Sequence, residues 1–179
     1  MCIRDSDNVE GSSIRTKVRV RWYGDLFGTQ EKANVEFKIK RGNVGTKRVF
    51  RINSFSLKEN GDTDDLMSCL EKAALPFDVW NEIKSLKPAL INSYKRKYFQ
   101  TPDKKFRITL DWDLAYFRPN KGMSKAPILV IARPYRDKVV ELKYNNKHDG
   151  EANRISASFP FRVTKSSKYV MGVDAVGRF

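Results

Sequence analysis

Arginine and lysine recur at alternate positions in several short stretches of this chain, with apolar residues between them. Lys17-Val18-Arg19-Val20-Arg21-Trp22 and Glu36-Phe37-Lys38-Ile39-Lys40 are the first two. Tyr94-Lys95-Arg96-Lys97-Tyr98, Phe106-Arg107-Ile108-Thr109-Leu110-Asp111 and Val140-Glu141-Leu142-Lys143-Tyr144 are the others. A guanidinium grips phosphate oxygens with a two-pronged fork, and an ammonium adds a compact point charge. A carboxylate set among such cations can hold a divalent metal that bridges phosphate oxygens. These residue types suit a polyanion, and with a metal they suit phosphoryl transfer. That reaction needs charge compensation and in-line positioning more than covalent help. No Ser/His or Cys/His pair suggests nucleophilic catalysis.

Successive strand side chains point to opposite faces, so each stretch lays cations along one side of a sheet and apolar residues along the other. One such stretch is a solvated strand face, with lysines that discourage edge pairing. Several together, with Val18, Val20, Trp22, Phe37, Ile39, Ile108, Leu110 and Trp112 on the apolar side, place the charges on one side of the sheet. A long twisted antiparallel sheet tends to curl and close, which would turn the cations inward. They would then need counter-charge. Glu36, Glu141, Asp111 and Asp113 provide part of it, and a bound polyanion would provide the rest. Glu36 could orient Lys38 or Arg19 by an ion pair, and Asp111 and Asp113 could pair with arginines.

The rest of the chain narrows the options. It has 179 residues and a formal charge of +14. The length suits one domain, and the charge points to anionic partners without fixing the fold. With 40 % apolar and 12 % aromatic residues, the composition is that of a globular protein, not a disordered one. Cys2 and Cys69 are too few for a disulfide framework and have no zinc-site spacing. His148, the one histidine, lies in a polar run and reads as a surface-loop residue. No apolar run approaches the ~20 residues of a spanning helix, and no signal-peptide pattern opens the chain. A cytoplasmic, reducing compartment is expected. Residues 1–6 look like a leader foreign to the remaining chain and are set outside the fold.

Strands are expected over 15–24, 34–41 and 46–57, with 25–31 a loop and the Gly42–Gly45 turn joining a hairpin. Helical spacing appears over 64–73, with Thr63 or Asp62 as N-cap, and again over 77–86. Alternation returns over 89–100, 105–117, 128–133 and 138–145. A short helix is expected over 149–158, and a last strand or helix at the tail. The sum is an α+β protein with about seven strands and one helical insertion.

Arg19-Val20-Arg21-Trp22-Tyr23-Gly24 together with Glu36-Phe37-Lys38 resembles the VTC domain of polyphosphate polymerases. So do Tyr94-x-Arg96, the Phe106–Asp111 stretch, Glu141-Leu142-Lys143 and Ser166-Ser167-Lys168-Tyr169, from about Arg15 to Val173. That family belongs to the triphosphate tunnel metalloenzymes. The resemblance implies an antiparallel β-barrel around a basic tunnel, spanning 7–179. It implies transfer of the γ-phosphate of ATP to a polyphosphate chain with Mn2+ or Mg2+, making the chain a metal-dependent phosphotransferase. Arg19, Arg21, Lys38, Tyr94, Arg96, Ser167 and Lys168 would bind phosphate. Glu141 would hold the metal, and Arg96, Glu141 and Lys168 would form the catalytic set. Tyr94 reads equally as a core tyrosine. Lys47 looks like a further family lysine; Arg48 competes for that place, but alternation puts Lys47 with Arg51 on one face and Arg48 on the other.

The family also has a first strand upstream, so the resemblance implies an N-terminally truncated domain. The partners implied are ATP and inorganic polyphosphate, without nucleic acid. The rival readings are a non-catalytic polyphosphate or triphosphate-binding module, a triphosphatase, and a basic nucleic-acid-binding β-domain. The last is disfavoured because Phe37, Phe106 and Trp112 lie opposite the charges, where they cannot stack on bases.

Overall fold

Alternation over Lys17–Arg21 leads directly to a strand, because Val18 and Val20 need burial on one side while the cations between them need water. A computed structural model describes residues 1–4, 14–41, 44–120, 138–164 and 166–177. They fall into two compact units. The first is Met1–Asn92 with Tyr116–Ala132 and Tyr169–Phe179; the second is Ser93–Ala115 with Arg133–Lys168.

In the first unit, β1 (Cys2–Arg4), β2 (Ile14–Arg21), β4 (Ala33–Arg41) and β5 (Val44–Ile52) form one sheet in the order β1-β2-β4-β5. All neighbours in it are antiparallel. β4 and β5 make the expected hairpin; its turn residues 42–43 lie outside the described residues. Met1–Arg4, expected outside the fold, instead runs along β2, where the Val20 N–H donates to the Met1 carbonyl at 3.0 Å. Val18, Val20, Val35 and Phe37 are buried on the apolar face. Full burial of such side chains contributes roughly 1.5–3 kcal/mol each.

The strand expected over 46–57 ends at Ile52. Phe55–Leu57 is a separate strand, β6, pairing with β3 (Gly28–Gln30) inside the segment expected to be a loop. The cause is a change of phase. Ile52, Phe55 and Leu57 are all buried, and a gap of three between the first two cannot be met by one strand of period two. Asp64–Lys72 forms α1, with Leu66, Cys69 and Leu70 buried. Thr63 is its N-cap by position but makes no side-chain cap bond. The Asp62 carboxylate instead accepts the Asp64 N–H at 2.9 Å. Phe77–Ile83 forms α2 after Pro76.

In the second unit, β7 (Ile91–Gln100), β8 (Arg107–Phe117) and β9 (Val139–Lys143) lie in that order, although the ends of β7 and β8 extend into the first unit. A 3-10 turn at Asn146–His148 leads into α3 (Asp149–Ala157). The tail is a helix, α4 (Lys168–Val176). Gly172 on α4 permits a close approach: a Cβ there would lie 2.4 Å from Leu90 Cδ2 and 2.6 Å from Tyr116 Cδ1.

The strand expected over 128–133 lies outside the described residues. Among those described, the strands form three separate sheets and none closes into a barrel. The α+β class with antiparallel sheets stands; the closed barrel is not seen. No helix among the described residues is long and apolar enough to cross a membrane.

Candidate phosphate-binding site

Strand register decides which cations stand together. In the first unit Lys17 faces Lys38 and Lys38 faces Lys47, so three lysines lie abreast across β2, β4 and β5. The next row is Arg19, Glu36 and Val49; the one after it is Arg21, Asn34 and Arg51. Like charges directly opposite one another destabilise a sheet, so this row of lysines carries a cost to the fold.

Glu36 is the one acid in these rows, and its side chain is only 8 % exposed. It accepts from Arg19 Nε at 2.5 Å and from Lys47 Nζ at 2.9 Å. Burial alone would raise its pKa. The hydrogen bond from Lys47 and the charge and hydrogen bond of Arg19 outweigh that, holding the carboxyl below its ordinary value. Glu36 therefore stays ionised and fixes two cations whose ends remain half in water, at 38 % and 50 % exposure. Lys38 is exposed beside them. Arg21 bonds the Tyr23 hydroxyl and stacks on its ring at 4.7 Å.

The second unit repeats the device with different residues. Asp111 is fully buried. The Arg96 fork grips it through Nε at 2.5 Å and Nη2 at 2.6 Å, and Lys168 Nζ reaches it at 2.5 Å. Burial would raise the Asp111 pKa, but Arg96 and Lys168 bring it below its ordinary value. The same bond raises the Arg96 pKa against its own desolvation. The Tyr94 ring lies 5.0 Å from the Arg96 guanidinium and 5.2 Å from the Lys168 ammonium. Both contacts fall within cation–π range.

Glu141 faces Thr109 across β8 and β9. It accepts from the Thr109 hydroxyl at 3.4 Å, and Lys143 Nζ lies 3.2 Å away. Among the described residues no three His, Cys, Asp or Glu side chains gather as a metal cage. A metal at Glu141 would therefore lack a cage of three protein ligands among the described residues. Mg2+ is commonly held without such a cage at phosphate-transfer sites.

The family model of the VTC domain matches residues 6–176. The chain belongs to the VTC domain family. That family is associated with polyphosphate polymerases, which are transferases. No curated protein matches the chain.

Within this VTC domain, Arg19, Arg21, Lys38 and Lys47 share one sheet face, by register. Arg48 is on the other face and pairs with Asp78 of α2. Tyr94, Arg96 and Lys168 gather around Asp111. Ser167 sits half-buried immediately before α4. Glu141 stands with Thr109 and Lys143.

Lys17 and Arg51 belong to the first patch, although sequence reading did not single them out as ligands. Their signal was available: each lies an even number of residues from a chosen cation on its own strand. The joint hold of Asp111 on Arg96 and Lys168 had no local signal. His148, expected in an open loop, packs its ring 5.9 Å from that of Phe106.

Proposed function

We propose that this VTC domain is a polyphosphate polymerase that transfers the γ-phosphate of ATP to a polyphosphate chain inside a basic tunnel. A terminal phosphate oxygen of the chain attacks the γ-phosphorus, the bond to the β-phosphate oxygen breaks, and ADP leaves. No side chain need become covalently attached. The observation that carries this reading is the repeated device of one ionised carboxylate under two cations, Glu36 with Arg19 and Lys47 and Asp111 with Arg96 and Lys168. Held cations lose little freedom when phosphate arrives, so they can stabilise charge without reorganising.

Arg19, Arg21, Lys38 and Lys47 are assigned to substrate phosphates. So are Tyr94, Arg96, Ser167 and Lys168, with Arg96 and Lys168 compensating charge on the transferring group. Glu141 would hold Mn2+ or Mg2+, which would neutralise charge on the phosphate oxygens. Thr109 and Lys143 orient that carboxylate.

The test is to incubate the protein with ATP and Mn2+ or Mg2+ and measure polyphosphate. Glu141→Gln should cut the rate on the order of 100-fold or more while polyphosphate binding persists. Phosphate release without polymer would make the protein a triphosphatase. Binding without turnover by the folded wild type would make it a binding module.

A further inference from the structure

After α3, in the second unit, the chain runs Ser158-Phe159-Pro160-Phe161-Arg162-Val163-Thr164. None of these residues is assigned above to phosphate transfer. Four of them are apolar within five positions, Phe159, Pro160, Phe161 and Val163. Phe161 is 49 % exposed and Val163 65 %; Pro160 is exposed and Phe159 half-buried. Apolar residues met singly on a surface are ordinary. A run of them marks a contact that the isolated fold does not make.

The run leaves a firm base. The Ser158 and Phe159 N–H groups close the end of α3 on the Ile155 and Ser156 carbonyls, both at 3.2 Å, and the Ser158 hydroxyl donates to Ile155 at 2.7 Å. Pro160 has no N–H and cannot extend the helix. The Phe159 and Phe161 rings then stack on each other, 5.2 Å apart and 18° from parallel, and so form one apolar block. The charge around that block has a single sign. No Asp or Glu occurs from Ala152 to Val173. Arg154 and Arg162 are exposed, and neither makes an ion pair among the described residues. The acids just upstream are engaged elsewhere: Asp149 accepts from the Tyr144 hydroxyl, and Glu151 lies 3.4 Å from His148 Nδ1.

We infer that this segment is a peripheral contact for an anionic lipid bilayer. Phe161 and Val163 enter the boundary between headgroups and acyl chains, while Arg154 and Arg162 meet lipid anions. Binding of that kind grows with apolar area buried and with attraction to anionic lipid. An arginine beside an apolar block suits it, because its stem lies among carbons while its head stays at the polar level. A stable protein interface, with a second copy or another chain, takes about 800 Å2 and roughly 20–30 residues a side. A seven-residue run offers far less, whereas a bilayer accepts a few side chains. Pro160 and Val163 give a free phosphate or a nucleotide nothing to bond. The contact goes beyond the polymerase reading and needs neither ATP nor a metal.

The experiment sediments the full chain, without ATP or metal, with vesicles of phosphatidylcholine alone or mixed with phosphatidylserine. Charge by itself draws so basic a chain to phosphatidylserine, so apolar variants decide the matter. Phe161→Ser should weaken partitioning onto the mixed vesicles by roughly 5- to 20-fold, and Arg162→Gln by roughly 5-fold. Val163→Ser should weaken it by roughly 3-fold, and it keeps the test open if Phe161→Ser melts early. Phe77→Ser removes an 80 % exposed phenyl from the first unit and should partition as wild type does. Vesicles of phosphatidylcholine alone should bind far less protein. The proposal is overturned if Phe161→Ser and Val163→Ser partition as wild type does, or if Phe77→Ser loses as much as Phe161→Ser. It is equally overturned if both vesicle types bind alike, or if neither binds while Phe161 governs self-association of the chain. Polymer synthesis takes no part in the readout, so either reading can fail without the other.

Discussion

Asp111 shows how one buried acid can govern two catalytic candidates. It carries no solvent-exposed surface, and both Arg96 and Lys168 end on it. Removing one partner of a buried charge pair costs about 3–5 kcal/mol, chiefly because the other charge is stranded. Asp111→Asn should therefore lower the unfolding free energy by about that amount, measured by urea denaturation; a loss below ~1 kcal/mol would mean the pair is not buried in solution. Acid should act through the same groups. Glu36 and Asp111 both titrate below their ordinary values in the folded chain. Their stabilisation is thus fully present above the unfolded carboxylate pKa of about 4 and is lost as pH falls through the folded values. Urea midpoints should be flat with respect to these groups from pH 5 to 7 and fall below about pH 4. Asp111→Asn should flatten that acid limb. A wild-type midpoint unchanged down to pH 2 would contradict this account.

On the scale of strands, period two separates neighbours in sequence more sharply than residue type does. Lys47 stands on the cationic face and pairs with Glu36, while Arg48 pairs with Asp78 from the other face. Lys47→Met should weaken tripolyphosphate binding several-fold. Arg48→Met should leave both affinity and stability close to wild type, since its pair is exposed. Isothermal titration of both variants makes the comparison; equal losses would refute the assigned faces.

The same periodicity made β2, β4, β5 and β8 legible in the sequence, because most of their apolar positions keep one phase. In β7, Ile91 and Phe99 fall on one phase and Tyr94 and Tyr98 on the other, and its limits came from Pro88 and the turn at Thr101. β3 and β6 were not legible. Three residues each give little pattern, and the Ile52-to-Phe55 step reverses the phase. α1 was legible from Leu66, Cys69 and Leu70, but its cap was not settled, because Asp62 and Thr63 are both capable oxygens. Of the candidate site, the face shared by Arg19, Arg21, Lys38 and Lys47 came from alternation. The joining of Arg96 to Lys168 did not, since only tertiary structure brings such distant positions to one carboxylate.

Across the whole molecule, +14 charges repel one another and disfavour the compact state. A polyanion that binds the folded chain should relieve this repulsion and add the usual linkage gain, about 2.7 kcal/mol when present at 100 times its dissociation constant. Thermal melting should therefore rise with tripolyphosphate well beyond the effect of sodium chloride at equal ionic strength. Equal shifts from both salts would reduce the effect to screening.

Asp111 also joins β7, through Arg96, to the chain entering α4, through Lys168. A carboxylate shared in this way cannot release one arm without leaving the other half-compensated. Fraying at the two places should consequently be concerted, with amide exchange near Arg96 and near Lys168 governed by one opening event and not by two independent ones.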